Sequence, residues 1–186
     1  DIIIAQGFEA GGHTGEIASM VLTPEIVDAV GPDVAVLGAG GIGRGRQVAA
    51  SLALGAQGVW TGSVWLTTEE YANLNTNAAM TEAFLRASSA DTVRTRIYTG
   101  KPARLLKTKW TQAWDAEEAP SPLPMPLQNL LVADAHSRMN SAGNPDVISM
   151  PVGQIVGSMN KVRPVAEVMA DLVREYEETV ARLSSL

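Results

Sequence analysis

VAVLGAGGIGRGRQVAASLALGAQGVW, residues 34–60, reads as strand, glycine turn, helix and second strand in a single run. Val34–Leu37 are apolar without alternation, the pattern of a strand covered on both faces of a parallel sheet. GRQVAASLALGA follows as a helix with Val48, Leu52 and Ala56 on one face and Gly55 at its end. GVWTGSVW (58–65) is the next apolar run.

Outward from this unit the same grammar repeats. DIIIAQG (1–7) is a third apolar run, and TPEIVDAVG (23–31), between it and Val34, predicts a helix with Thr23 as N-cap, Pro24 at its first position and Gly31 as its stop. The order β-α-β-α-β predicts an α/β protein with a parallel sheet and right-handed crossovers, an open doubly wound sheet or a (β/α)8 barrel. Three strands alone leave edges and a face uncovered, so further structure must complete them. Asp1 opens almost inside a strand, with no Met and no lead-in. The expectation is therefore a fragment of a chain that begins upstream.

Beyond residue 66 the pattern turns helical and Ala-rich over roughly 67–90. KPARLLKTKW then leads into a proline-dense loop, PSPLPMP. A helix is expected around 126–139 and a long amphipathic one from Pro164 to about Ser184, its apolar face set by Val165, Val168, Met169, Leu172, Val173, Tyr176, Val180 and Leu183.

Composition excludes several function classes. Fourteen Lys and Arg against 20 Asp and Glu give a net charge of −6 with no basic patch, which argues against nucleic acid as a partner. The absence of cysteine rules out disulfides and thiolate metal sites and fits a cytoplasmic location. No apolar run is long enough to span a bilayer, so no membrane partner is expected. Two histidines without an HExxH pattern leave no zinc ligand set, and no metal is expected.

Chemistry concentrates where the strands end. Gly7, Gly11 and Gly12 follow the first run, Gly38, Gly40, Gly41 and Gly43 the second, and Gly62 the third. Glycine lets backbone amides approach a ligand, and such turns at the carboxyl ends of parallel strands describe one phosphate pocket. GAGGIG alone is a weak dinucleotide signal, and no acidic residue follows about 20 positions on to hold a ribose. His13 stands in this ring of loops, where an imidazole can take a proton or donate a hydrogen bond to an anion. Glu9 could orient His13 or cap loop amides. His136 is expected to be a solvated helix residue.

AQGFEAGGHTG (5–15), GAGGIG (38–43) and GAQGVWTGSVWLTTEE (55–70), in this order, resemble the nitronate monooxygenase family, formerly 2-nitropropane dioxygenases. TGKPAR (99–104) extends the resemblance more loosely. It implies an FMN-dependent (β/α)8 TIM barrel of which this chain holds the last three βα units plus a C-terminal helical region. Residues 1–66 would be the barrel part, 67–150 a mainly helical insertion on the substrate side, and 151–186 helices packing on the barrel. The N-terminal part of the same barrel is expected as its complement, and a homo-oligomer is left open. By the resemblance, His13 is the catalytic group. Gln6 would contact the flavin ring, Gly11 and Gly12 would lie against the cofactor, and Gly40 and Gly41 would offer amides to its phosphate. Trp60, Thr61, Gly62 and Ser63 would complete that grip at a helix N-terminus. Ser63 and Trp65 stand where the family commonly has Thr and Phe. The implied reaction is oxidation of an alkyl nitronate, such as propionate 3-nitronate, by oxygen to a carbonyl compound and nitrite. The motif set is shared with flavin-dependent enoyl-acyl-carrier-protein and NAD(P)H:quinone reductases. A non-catalytic barrel binding a phosphorylated ligand, or a structural half-barrel assembling with another chain, are the alternatives from other classes.

Overall fold

The computed structural model describes residues 1–74, 78–148 and 150–186. In chain order it contains β1 (Ile2–Gln6), β2 (Gly12–His13), α1 (Ser19–Val30), β3 (Ala35–Ala39), α2 (Gly45–Ala53) and β4 (Gly58–Trp60). A 3₁₀ turn at Ser63–Thr67 leads into α3 (Glu69–Leu74), α4 (Ala78–Arg86), β5 (Thr92–Thr95), β6 (Ala103–Leu106) and α5 (Lys109–Trp114). The chain ends with α6 (Leu127–Ala142), a second 3₁₀ turn at Gln154–Ser158, and α7 (Val165–Ser184).

The three apolar runs form a parallel sheet in the order β1-β3-β4, with Ile4 opposite Leu37 and Leu37 opposite Gly58. The fold is thus α/β, and the described residues form no closed barrel. β3 is covered as its composition predicts, with Val36 and Ala39 buried, but β1 shows Ile2, Ile3 and Ile4 to solvent on the free edge of the sheet.

One helix boundary departs from the expected one. α1 begins at Ser19, so Thr23 and Pro24 lie inside it and Thr23 is buried. The cause is a long-range cap: the Glu9 carboxylate accepts from the Ser19 amide at 3.0 and 3.2 Å and from its hydroxyl at 3.0 Å. This satisfies a first-turn amide that Thr23 was expected to satisfy four residues later. Gly31 stops the helix as expected, in the left-handed region at φ 73°.

The 67–150 region is less helical than its composition suggests. β2, β6 and β5 form an antiparallel sheet, so ARLL of the KPARLLKTKW stretch is a strand with all four residues buried. The basic residues flanking this short apolar run disguise it. Part of the expected 67–90 helix falls at 75–77, outside the described residues; α3 and α4 flank it. The main core lies here, where Met80, Ala83 and Phe84 of α4 meet Leu106, Ile148, Val152, Val156 and Met159. Removing a side chain such as Phe84, 1% exposed, from such a core costs ~3–5 kcal/mol.

α7 packs on α2 by a narrower strip than its apolar pattern implies. Val168 is buried, but Met169, Val173, Val180 and Leu183 are between 41 and 49% exposed. A Cβ on Gly45 would collide with the α7 backbone at Leu172 and Tyr176, so glycine permits the close crossing. Glu175, buried on α7, joins the two helices by accepting from Arg44 Nε and Nη2 at 3.1 and 2.8 Å and from Arg46 Nε at 2.7 Å.

Candidate functional site

The three glycine turns meet at the carboxyl ends of β1, β3 and β4 around a cavity of about 300 Å³. Gln6 and Gly11 line it from the first turn, Gly40 and Gly41 from the second, and Trp60, Thr61, Gly62 and Ser63 from the third. Of the nine residues expected to hold a cofactor, Gly12 alone is not at its wall. It pairs instead with Arg104 across the β2–β6 ladder, at φ 76°.

Sequence reasoning missed the fourth side. Pro151, Gly153 and Ile155 close the cavity from a segment far along the chain. Its glycine is the available signal. A Cβ on Gly153 would stand 2.8 Å from the Glu9 carbonyl oxygen, and one on Gly11 2.7 Å from the Gly153 nitrogen. The two backbones cross in contact, and Gln154 donates to the Glu9 carbonyl at 2.9 Å. Gly11 is therefore required by the chain's own packing as well as by any ligand.

The cavity suits a neutral cradle for an anion. No lining residue carries a charge. Gly40 and Gly41 adopt φ 99° and 69°, which favours glycine. Among the described residues, the backbone amides of Gly41 and Gly62 donate to no carbonyl outside the helices and strands. Free amides at such glycine turns, with the hydroxyls of Thr61 and Ser63 on the same wall, are the donor set a phosphate requires. The residues present thus fit the phosphate end of FMN. One element of the expected grip is corrected: Ser63 opens a five-residue 3₁₀ turn rather than an α-helix, so the helix dipole contributes little.

Two side chains brace the third turn. The Ser63 hydroxyl accepts from the Gly153 amide at 2.8 Å, which leaves its own proton to donate. Trp65 Nε1 donates to the Thr61 carbonyl and hydroxyl, both at 3.1 Å. A phenylalanine at 65 would lack this donor, so the tryptophan fixes Thr61 as well as packing behind it.

His13 stands on β2, is exposed, and is not among the residues that line this cavity. Its carbonyl accepts from Gln6 Nε2 at 2.7 Å, which ties it to a residue of the cavity wall. Its ring Nε2 lies 2.6 Å from the Thr99 hydroxyl. Glu9 is engaged with Ser19 and acts as a cap; no bond joins it to His13. Two arginines grip the chain on either side of β2. Arg104, 2% exposed, donates to the Phe8 carbonyl, and Arg94 Nη2 donates to the Thr14 carbonyl at 3.1 Å. Burial pushes the Arg104 guanidinium below its ordinary value, partly offset by the Glu9 charge.

His136 is not the solvated residue its sequence context suggests. It stacks on Tyr98 with ring centroids 4.8 Å apart, meets Trp110 edge-on at 5.8 Å, and its Nε2 is buried without a partner among the described residues. Burial holds its pKa below the ordinary imidazole value. A larger cavity, about 430 Å³, lies on the other side of Gly40 and Gly41 and contains none of the remaining expected site residues. Among the described residues no group of three His, Asp or Glu side chains could hold a metal ion, and no helix is long and apolar enough to cross a membrane.

The sequence matches the nitronate monooxygenase family over residues 1–175. The chain belongs to that family. It is 55% identical over its whole length to a Mycobacterium tuberculosis protein described as a monooxygenase, of which it covers 50%. The nitroalkane oxidase of Streptomyces ansochromogenes superposes over 98% of this chain and 53% of its own, with TM-score 0.85 and 30% identity. FabK from Thermotoga maritima superposes over 100% of this chain and 57% of its own, with TM-score 0.81 and 32% identity. The chain spans about half the length of the relatives it matches. Family membership accords with the cavity, where residues singled out through that resemblance come together.

Proposed function

We propose that the protein to which this chain belongs is an FMN-dependent nitronate monooxygenase of the cytoplasm. In this reading residues 1–66 supply the last three βα units of a (β/α)8 barrel, completed along the free edges of β1 and β4 by the N-terminal part of the same barrel. The observation that carries the reading is the convergence of Gln6, Gly40, Gly41, Thr61, Gly62 and Ser63 on one uncharged cavity, with His13 bonded to the same wall through Gln6.

The amides of Gly40, Gly41 and Gly62 and the hydroxyls of Thr61 and Ser63 would hold the phosphate, and Gln6, with Gly11 beside it, would meet the ring system. FMN, when bound, supplies the electron acceptor for the nitronate and the route to oxygen. The protein's own work is placement and charge. His13 orients the anionic nitronate group by hydrogen bonding, and the apolar side chains of Ile42, Leu66 and Ile155 keep water from the floor of the cavity. Products are a carbonyl compound and nitrite.

The likeness to FabK, close in size to that to the nitroalkane oxidase, favours one second reading, a flavin-dependent reductase drawing on NAD(P)H. Nitrite release from propionate 3-nitronate by the complete protein tests the first. His13→Asn is expected to lower kcat/KM by about 100-fold, the usual scale for a positioned acid or base group. Turnover unchanged by this substitution would remove His13 from the reaction.

A further inference from the structure

The contact between His13 and Thr99 bears on which nitrogen of the imidazole carries the proton. Thr99 lies in the turn between β5 and β6, 86 residues along the chain from His13. Its hydroxyl has one proton to give and two lone pairs to receive. The Lys101 amide donates to one lone pair at 3.3 Å. Two acceptors compete for the proton: the Lys101 carbonyl at 3.5 Å and His13 Nε2 at 2.6 Å. The first is at the outer limit for O–H···O bonding, and the second is short. An Nε2–H tautomer would leave the hydroxyl proton only the Lys101 carbonyl, so the geometry favours the imidazole as its acceptor.

The geometry points to Thr99 as a positioning residue that holds neutral His13 in its Nδ1–H form. Nε2 is occupied as an acceptor, and Nδ1–H is the ring group left to meet a ligand. His13 then works as a hydrogen-bond donor to negative charge, and a role as base would first require a tautomer change.

The surroundings make this a prepared arrangement. The β2–β6 ladder sets His13 opposite Ala103, and Thr14 donates to the Pro102 carbonyl at 3.3 Å, so the histidine and the turn are held side by side by backbone. The turn is closed by the Gly100 amide donating to the Arg96 carbonyl at 2.8 Å, with Gly100 at φ 90°. From outside, Gln128, wholly buried, donates to the Ile97 carbonyl and accepts from the Leu123 amide, both at 2.9 Å. Tyr98 is stacked on His136. Thr99 thus stands between two anchored neighbours, and its hydroxyl has little freedom to point elsewhere.

The tautomer assignment rests on geometry alone; its consequence for turnover rests on the function proposed above. The test uses the complete flavin-loaded protein, with histidine labelled in 15N and His13 assigned by its loss in His13→Asn. Spectra are recorded near pH ~8, where an ordinary imidazole is neutral. The parent protein and Thr99→Ser are expected to show the proton on Nδ1. Thr99→Val, which keeps the shape and removes the donor, is expected to move the tautomer ratio toward Nε2–H by about fivefold, the weight of one ordinary hydrogen bond. A proton on Nε2 in the parent protein, or an unchanged ratio in Thr99→Val, would overturn the assignment. A changed ratio with unchanged nitronate turnover would uphold it and remove His13 from the proposed reaction.

Discussion

Arg104 grips Phe8 twice: Nε and Nη2 donate to its carbonyl at 3.1 and 2.9 Å, while the guanidinium carbon lies 4.4 Å from its ring centroid. Nη1 donates to the Thr92 hydroxyl at 3.0 Å, so one buried side chain fastens the loop leading to His13 to the antiparallel sheet. Lysine cannot reproduce a planar fork with a stacked face. Arg104→Lys is expected to destabilise the protein by ~2–3 kcal/mol, since buried partners lose hydrogen bonds to a charged group. Urea unfolding measures it, and a loss below ~0.5 kcal/mol would contradict the clamp.

Gly40 and Gly62 separate folding from binding. At Gly40 the backbone has φ 99°, and a Cβ would stand 3.1 Å from both the Gly7 carbonyl and the Ser19 hydroxyl oxygens. Gly40→Ala is therefore expected to cost ~1–3 kcal/mol of stability. At Gly62 a Cβ meets nothing within 4 Å, and φ is −125°. Gly62→Ala should change stability by less than ~0.5 kcal/mol, yet weaken FMN binding by about tenfold, or ~1.4 kcal/mol, if the phosphate lies on that amide. Thermal unfolding and fluorescence titration with FMN give the two numbers independently.

His136 predicts an acid-side loss of stability. Its pKa is lowered by burial, so the folded chain holds the neutral ring while the unfolded chain takes up a proton near the ordinary value of 6.5. Unfolding free energy should fall as pH drops below that value and level off below the folded pKa. His136→Phe, which keeps an aromatic ring against Tyr98, should remove this part of the slope. Urea midpoints between pH 7.5 and 5, taken as a rough span around the imidazole range, compare the two proteins.

Glu175 acts at lower pH. Burial pushes its carboxyl up, but the hydrogen bonds and charges of Arg44 and Arg46 outweigh this and hold it below its ordinary value of 4.5. The stability it contributes is present above the unfolded pKa and is lost as pH falls through the folded one. Glu175→Gln should be less stable than the parent at neutral pH, and the gap should narrow as both are taken below about pH 4. A gap that stayed constant with pH would mean that the pair between α2 and α7 contributes packing alone.

What the sequence made legible were features decided within a few residues. Continuous apolar runs identified β1, β3 and β4, and glycines at their ends marked the turns that line the cavity. What it hid were features set across long separations. The cap on α1 comes from Glu9, ten residues away. The strand 103–106 has Arg104 at its centre, which reads as surface until Phe8 and Thr92 are seen around it. His136 looks solvated along α6, because Tyr98 and Trp110, which enclose it, lie elsewhere in the chain. Pro151 and Gly153 reach the cavity only through the backbone crossing with Gly11.

The central claim is a flavin site whose electrons come from a nitronate. The direct measurement is the visible spectrum of the complete protein without oxygen, with propionate 3-nitronate added to one sample and NAD(P)H to another. The account predicts a flavin band that bleaches with the nitronate and persists with NAD(P)H. Bleaching by NAD(P)H alone, or the absence of any flavin band, would contradict it.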